Sequence, residues 1–485
     1  MNDVRRLAAG CLLASFRGTD APAWLLRRVE AGLGGVCVYG ANVVDPDQLG
    51  AVAAAVHRAR TGAVVALDEE GGDVTRIDFA TGSSWPGNAA LGAVDDVALT
   101  AGVASEMGEW LAALGFDLDL APCLDVNSNP ANPVIGVRSF GASAALAARH
   151  GAAFITALQA AGVAACAKHF PGHGDTAVDS HHGIPRAGAD RALLSERELV
   201  PFQAAIGAGV ASIMTAHVLV PALDPRQVAT LSSIVLGEVL REALGFEGAV
   251  VSDALDMSAV NDPAHGGIPA AAVAALAAGV DTLCLGSEQD EAALDSVVDA
   301  IVAAVEGDRL DVGRLIDAVA RTAGLARSPR PQIARADVPA PRGREAAARA
   351  ISVLGSLPAL AGAHVVELRP EASIPAGAVP WGLAGPMQAI DPSITAADLE
   401  AGDDPAAAVP AASGRPLVVV TRDAHRHVWP RRALDALAAA RPDLVTVELG
   451  WPSGTTPPGQ AVVHTFGASR VSTDAAAALL LNGRR

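Results

Sequence analysis

Short apolar runs rich in Val, Ile, Leu and Cys recur along the chain, and Ala/Leu-rich stretches with helical spacing lie between them. The runs Leu7–Phe16, Gly35–Tyr39, Ala63–Leu67, Phe116–Val126, Ala164–His169, Ser212–His217, Ala249–Ser252 and Val280–Leu285 predict strands. Pro46–Arg60, Val97–Leu114, Ala142–Ala161, Glu196–Ala208 and Ile234–Leu244 have the periodicity of helices. Eight strands alternating with helices over residues 1–325 predict an α/β fold of (β/α)8 TIM-barrel type with insertions. Residues 326–344 then break the pattern, because four prolines fall between Ala326 and Arg342 without apolar periodicity, as in an interdomain linker. Beyond it, a helix at Glu345–Val353, strands at His364–Leu368, Leu417–Thr421, Val445–Leu449 and Ala461–Phe466, and helices at Arg431–Ala440 and Asp474–Leu481 predict a smaller α/β sandwich over 345–485. That region lacks a Gly-rich phosphate loop, so nothing in it points to a nucleotide.

Composition narrows the function. With 51% hydrophobic residues, the 485-residue chain can bury a large core. Its 35 basic against 53 acidic residues give a net charge of −18, which repels nucleic acid, and no basic run offsets it. No apolar stretch is long and uninterrupted enough to span a membrane. Ala8-Ala9-Gly10-Cys11 resembles a lipoprotein cleavage site. The short apolar stretch, Asp3 in the basic region and the early cysteine instead predict a buried first strand. Cys11, Cys37, Cys123, Cys166 and Cys284 sit in apolar runs without metal-ligand spacing, as expected of reduced core residues in the cytoplasm. Of the 35 basic residues only Lys168 is lysine, which suggests a place where a compact ammonium fits and a flat guanidinium does not.

Barrel chemistry gathers at the C-terminal strand ends. Here those ends carry Asp68-Glu69-Glu70, Asp125-Val126-Asn127, Lys168-His169, His217 and Asp253. Each has a bland alternative alone: Asp253 as a helix cap, His217 as a core histidine, Asp68 as a turn former. Their convergence on one rim makes a common site the better reading. The segment Lys168–Pro185 holds four of the twelve histidines. Zinc is the rival reading, because His169 and His173 are four apart, but Pro171, Gly172 and Gly174 oppose the helix that spacing needs, and no metal is expected. In an extended segment Asp179 and His181 project to one side, where the carboxylate would orient the imidazole as a general acid and base. The flanking glycines would let this loop fold over a substrate.

Asp68-Glu-Glu-Gly-Gly-Asp-Val-Thr-Arg76, Ile135-Gly-Val-Arg-Ser-Phe-Gly141, Lys168-His-Phe-Pro-Gly-His-Gly174, Asp179-Ser-His181, Met214-Thr-Ala-His217 and Ser252-Asp-Ala-Leu-Asp-Met257 occur in that order. Together they resemble the bacterial β-N-acetylhexosaminidases of glycoside hydrolase family 3, over about residues 5–325. The end of the chain, His464–Arg470, resembles the second domain of two-domain members more weakly. The resemblance implies retaining hydrolysis of a terminal β-linked N-acetylglucosamine without a cofactor. It implies Asp253 as nucleophile, His181 oriented by Asp179 as acid/base, and Asp68, Arg76, Arg138, Lys168, His169 and His217 as sugar-binding residues. The expected partner is a small carbohydrate such as a muropeptide or chitooligosaccharide, with the oligomeric state left open. Phosphorolysis is the variant reading. A β-glucosidase or β-xylosidase fits less well, since those relatives usually take their acid/base from the second domain, and an intact nucleophile and dyad oppose a purely sugar-binding protein. Two positions depart from the family pattern: Glu69, where glutamine is usual, and Asp73, where a basic residue is common. Neither is a motif position for chemistry, though an extra acid near the rim could tune subsite preference.

Overall fold

The structure is a computed structural model that describes residues 2–181, 183–326, 340–371 and 373–483. Eight parallel strands follow one another around a barrel: β1 (Leu12–Ala14), β2 (Gly35–Val38), β3 (Val64–Leu67), β4 (Leu118–Asp119), β5 (Ala164–Phe170), β6 (Ser212–Thr215), β7 (Ala249–Ser252) and β8 (Leu283–Cys284). β8 pairs with β1, and a parallel bridge between Val251 and Thr282 joins β7 to the chain leading into β8. Side chains alternate across the sheet as strand geometry requires. Leu13, Cys37, Ala66, Cys166, Val251 and Cys284 form one cluster inside, while Leu12, Val36, Val65, Ala165, Val250 and Leu283 pack outward against the helices.

Several predicted strands are shorter than expected, Val280–Leu285 among them, of which only Leu283–Cys284 is regular strand, and the two longest show why. Leu7–Gly10 belongs to a helix, Asn2–Gly10, and only Leu12–Ala14 pairs in the sheet. Val4, Leu7, Ala8 and Cys11 fall at helical spacing and form the covered side of that helix, while Arg5 on the other side reaches Asp299 at 2.5 Å. Of Phe116–Val126 only Leu118–Asp119 is regular strand, since Pro122 has no N–H to continue the ladder.

A second, six-stranded sheet contains β9 (Ser352–Gly355), β10 (His364–Leu368), β11 (Thr395–Leu399), β12 (Leu417–Thr421), β13 (Val445–Glu448) and β14 (Ala461–His464). Its order is β11-β10-β12-β13-β14-β9, parallel except for β9 against β14. Val365, Val418, Val420 and Val447 face one buried cluster, and Val366, Leu368, Leu417 and Val419 face another, which makes it an α/β sandwich. The expected helix Glu345–Val353 is instead Pro341–Ala350, starting inside the expected linker with Pro341 in its first turn; residues 327–339 of that linker lie outside the described residues.

The two sheets are fastened together. Asp73, in the loop after β3, accepts hydrogen bonds from Arg422 Nη2 and from the Ala468 N–H, both at 2.7 Å. Arg470 donates to Ser84 Oγ at 2.6 Å, and His425 Nε2 to the Pro130 carbonyl at 2.9 Å. Among the described residues no helix is long and apolar enough to cross a membrane.

Candidate active site

The C-terminal end of β3 runs into a tight loop braced from within by Glu69. One carboxylate oxygen, Oε2, accepts from the Thr75 hydroxyl and from the N–H groups of Arg76 and Ile77 at 2.9–3.0 Å. Burial pushes this carboxyl up to about 7. Neither Glu69 nor Asp73 lines the cavity, so these extra acids do not touch a ligand there directly. The same loop aims Asp68, Glu70 and Arg76 the other way. Lys168, at the end of β5, places its ammonium 2.7 Å from Asp68 Oδ1 and 2.7 Å from Glu70 Oε1. Burial alone would lower its pKa; the two carboxylates outweigh that and raise it. Arg138 grips Glu70 with Nε at 3.0 Å and Nη2 at 2.7 Å. Burial would raise Glu70, but Arg138 and Lys168 hold it well below the usual carboxylate range. A buried cluster of this kind offers both donors and acceptors, which is what sugar hydroxyls require.

Asp125, after β4, organises the next segment. Its Oδ2 accepts from His169 Nδ1 and its Oδ1 from the His173 backbone N–H, both at 2.6 Å. Burial would raise Asp125, but His169 and His173 bring it down to about 2. His173 is itself pushed down to about 4 by burial and is neutral. Its ring spans the loop, with Nδ1 at 2.7 Å from Thr176 Oγ1 and Nε2 at 3.2 Å from Ser180 Oγ. Cys123 Sγ, an Asp125 oxygen and a His169 nitrogen lie within 4.8 Å of one another. Burial keeps that thiol protonated, and it donates to Asp125 Oδ2 at 3.2 Å.

Asp179 and His181 meet as expected, though through a turn rather than an extended segment. Asp179 Oδ1 accepts the His181 backbone N–H at 2.9 Å, an Asx-type turn, and the same oxygen lies 2.6 Å from His181 Nδ1. His181 itself lines the cavity, and Ser258 Oγ pins the loop by donating to the His181 carbonyl at 2.8 Å. Ser258 follows Asp253, so the loop docks beside β7. Burial would raise Asp253, but the imidazoles of His169, His217 and His181 hold it below the usual carboxylate range, and it stays anionic. Oδ1 accepts the Ala254 N–H at 2.8 Å.

Asp68, Glu70, Arg76, Arg138, Lys168, His169, His181 and Asp253 line one cavity of about 430 Å³, large enough for a small ligand. His217 does not: it is fully buried, with Nδ1 2.7 Å from Thr230 Oγ1 and Nε2 donating to the Ala254 carbonyl at 3.0 Å. It supports the backbone next to Asp253 instead of touching a ligand. The sequence reading put Glu70 and Asp125 on the rim but gave neither of them a role. It had no signal for the turn Ile374–Gly377, which the second sheet's domain sends into the cavity wall.

Residues 21–325 match the glycosyl hydrolase family 3 N-terminal domain. The chain is 39% identical over 262 residues to a β-hexosaminidase of Alkalilimnicola ehrlichii, covering 52% of this chain and 73% of that one. It is 36% identical over 322 residues to β-hexosaminidase A of Pseudoalteromonas piscicida, covering 60% of this chain and about half, 53%, of that longer protein. Its structure superposes on a family 3 β-N-acetylglucosaminidase from Paenibacillus sp. with a TM-score of 0.89 at 30% identity, covering 99% of this chain and 97% of the other.

Proposed function

This chain belongs to glycosyl hydrolase family 3, and from that premise we propose that it is a retaining, exo-acting β-N-acetylglucosaminidase. The observation that carries the reading is one cavity lined by an anionic Asp253, by His181, which Asp179 holds at 2.6 Å, and by the Asp68–Lys168–Glu70–Arg138 cluster. In this reading residues 1–325 carry the chemistry and residues 345–485 close one side of the cavity. The cluster, with Arg76 and His169, binds the hydroxyls of the terminal sugar and sets its anomeric carbon against Asp253.

Asp253 attacks that carbon and the glycosidic C–O bond breaks, while His181 Nε2–H passes its proton to the departing oxygen. Asp179 holds Nδ1–H and stabilises the imidazolium before transfer. Water then enters, His181 takes its proton, and the oxygen displaces Asp253 with net retention. A neutral imidazole accepts that proton without repelling an anionic neighbour, as a carboxylate would. Asp256 and Glu288 also line the cavity and disfavour a phosphate dianion, so water is the acceptor we infer. A short cell-wall muropeptide or chitooligosaccharide in the cytoplasm is the substrate class that fits.

Turnover of 4-nitrophenyl β-N-acetylglucosaminide by wild type and Asp253→Ala tests the assignment, with and without phosphate. Loss of turnover in a folded variant, and free sugar as the product in both buffers, support it. Undiminished turnover refutes the nucleophile, and a sugar 1-phosphate product replaces hydrolysis by phosphorolysis.

A further inference from the structure

The cavity wall made by the second domain stands on a definite side of the barrel. Pro375 O accepts a hydrogen bond from Arg76 Nη2 at 3.0 Å. A β-carbon on Gly377 would lie only 3.3 Å from the Phe79 ring, at a φ of +67° that suits glycine, so the turn packs closely against the loop after β3. The turn is closed on itself by Gly377 N–H donating to Ser373 O at 2.9 Å. It is also anchored at a distance, because Asp73 in the same β3 loop takes Arg422 and the Ala468 N–H from the second domain. β3 and β7 are four strands apart in an eight-stranded barrel, hence on opposite sides. The turn therefore faces Asp253 across the cavity.

In a pyranose ring C1 and C4 are opposite each other. A sugar whose C1 meets Asp253 on the β7 side directs its 4-hydroxyl toward the β3 side, where Arg76 and the Ile374–Gly377 turn stand. We propose that this turn is the stop that makes the enzyme exo-acting: it leaves room for a free 4-hydroxyl and none for a further sugar attached there. Asp73, paired with Arg422, is the positioning residue that holds the stop in place without touching substrate. This inference rests on the reading that the cavity binds one N-acetylglucosamine unit with C1 at Asp253.

The test compares kcat/KM on 4-nitrophenyl β-N-acetylglucosaminide with that on its 4-O-methyl ether, for wild type, Ile374→Ala and Arg422→Ala. Ile374 is half exposed, so its truncation leaves the core intact even where loss of Arg422 disturbs folding. The wild type is expected to discriminate against the ether at least 100-fold, and each variant to relax that ratio tenfold or more. A wild type that accepts the ether, or variants that lose both activities in equal proportion, overturns the stop. If the wild type turns over neither glycoside, the functional reading fails. Calorimetric binding of N-acetylglucosamine against its 4-O-methyl ether then still decides on the stop, which requires the ether to bind at least tenfold more weakly to wild type but not to Ile374→Ala.

Discussion

Lys168→Arg keeps the charge and changes only the shape of the cation, so it isolates why lysine stands at this one position. The ammonium is 1% exposed and touches Asp68 and Glu70 at 2.7 Å each. Glu70 already receives the two-pronged grip of Arg138, so a second guanidinium finds that face taken and must push the surrounding side chains apart. Overfilling a packed interior costs ~1–3 kcal/mol. Where that distortion falls on the two cavity-lining carboxylates, it lowers kcat/KM by roughly 5- to 150-fold at about 1.4 kcal/mol per tenfold. Lys168→Met removes the cation altogether and, among the described residues, leaves Asp68 only the 3.8 Å ion pair with Arg76. Breaking a buried pair costs ~3–5 kcal/mol, so its loss is deeper and shows in thermal stability as well. Initial rates on the aryl glycoside, with thermal unfolding in parallel, should rank wild type above arginine and arginine above methionine. Wild-type kinetics for Lys168→Arg, or methionine matching arginine, refutes the argument.

Asp179→Asn keeps an acceptor for the His181 N–H but no longer supports an imidazolium, and kcat should fall roughly 10²-fold or more with little change in KM; an unchanged kcat removes Asp179 from the mechanism. His181→Ala should be far more damaging for a 4-methylumbelliferyl than for a 2,4-dinitrophenyl leaving group, which departs without a proton; equal losses on both would argue against His181 as the acid. Glu69 holds its proton up to about pH 7 in the fold and only to about 4.5 when unfolded. Its folded pKa is raised, so its contribution to stability is full below pH 4.5 and is lost as pH rises through 7. Glu69→Gln should therefore gain stability relative to wild type above pH 7, by up to about 1.4 kcal/mol for each pH unit that separates the folded from the unfolded value. Parallel unfolding-temperature profiles for the two proteins across pH 4–8 would show the carboxyl to be ordinary.

The barrel was legible because parallel strands covered on both faces write themselves as continuous apolar runs, and Gly35–Val38, Val64–Leu67 and Ala249–Ser252 lie within the runs that announce them. Edge strands do not write themselves this way. β9 and β11 are half exposed and carry Ser, Thr and Asp, so neither stood out. The opening segment misled because Leu7–Gly10 is as apolar as a strand while its spacing with Val4 and Cys11 is that of a helix. At the site, motif residues at strand ends were readable one by one, and Asp179 and His181 were close enough in sequence to be paired. His217 was read as ligand-facing because a strand-end position does not say which side of the strand is open, and its ring turns into Thr230 and the Ala254 carbonyl. The Ile374–Gly377 turn could not be read at all, since its meaning comes from Arg76 some 300 residues earlier.

The two departures from the family pattern acquire a physical sense once their surroundings are known. Both acids belong to the loop that carries Asp68 and Arg76, and both turn away from the cavity. Glu69 meets three donors inside the loop; glutamine can accept from the same three, and the carboxyl, protonated to about pH 7, is glutamine's nearest charge-free equivalent over most of the acidic range. Asp73 faces Arg422 and a backbone N–H of the second domain. A basic residue there would meet two donors and no acceptor, at a cost set by burying an unpaired charge. The sign of residue 73 is thus determined by what the second domain presents to it, and the loop between these two anchors is fixed from the inside by one acid and from the outside by the other. Because Arg76 also donates to Pro375, a shift of the second domain is transmitted to a cavity-lining side chain within three residues of Asp73, which couples the docking of that domain directly to the geometry of the cavity.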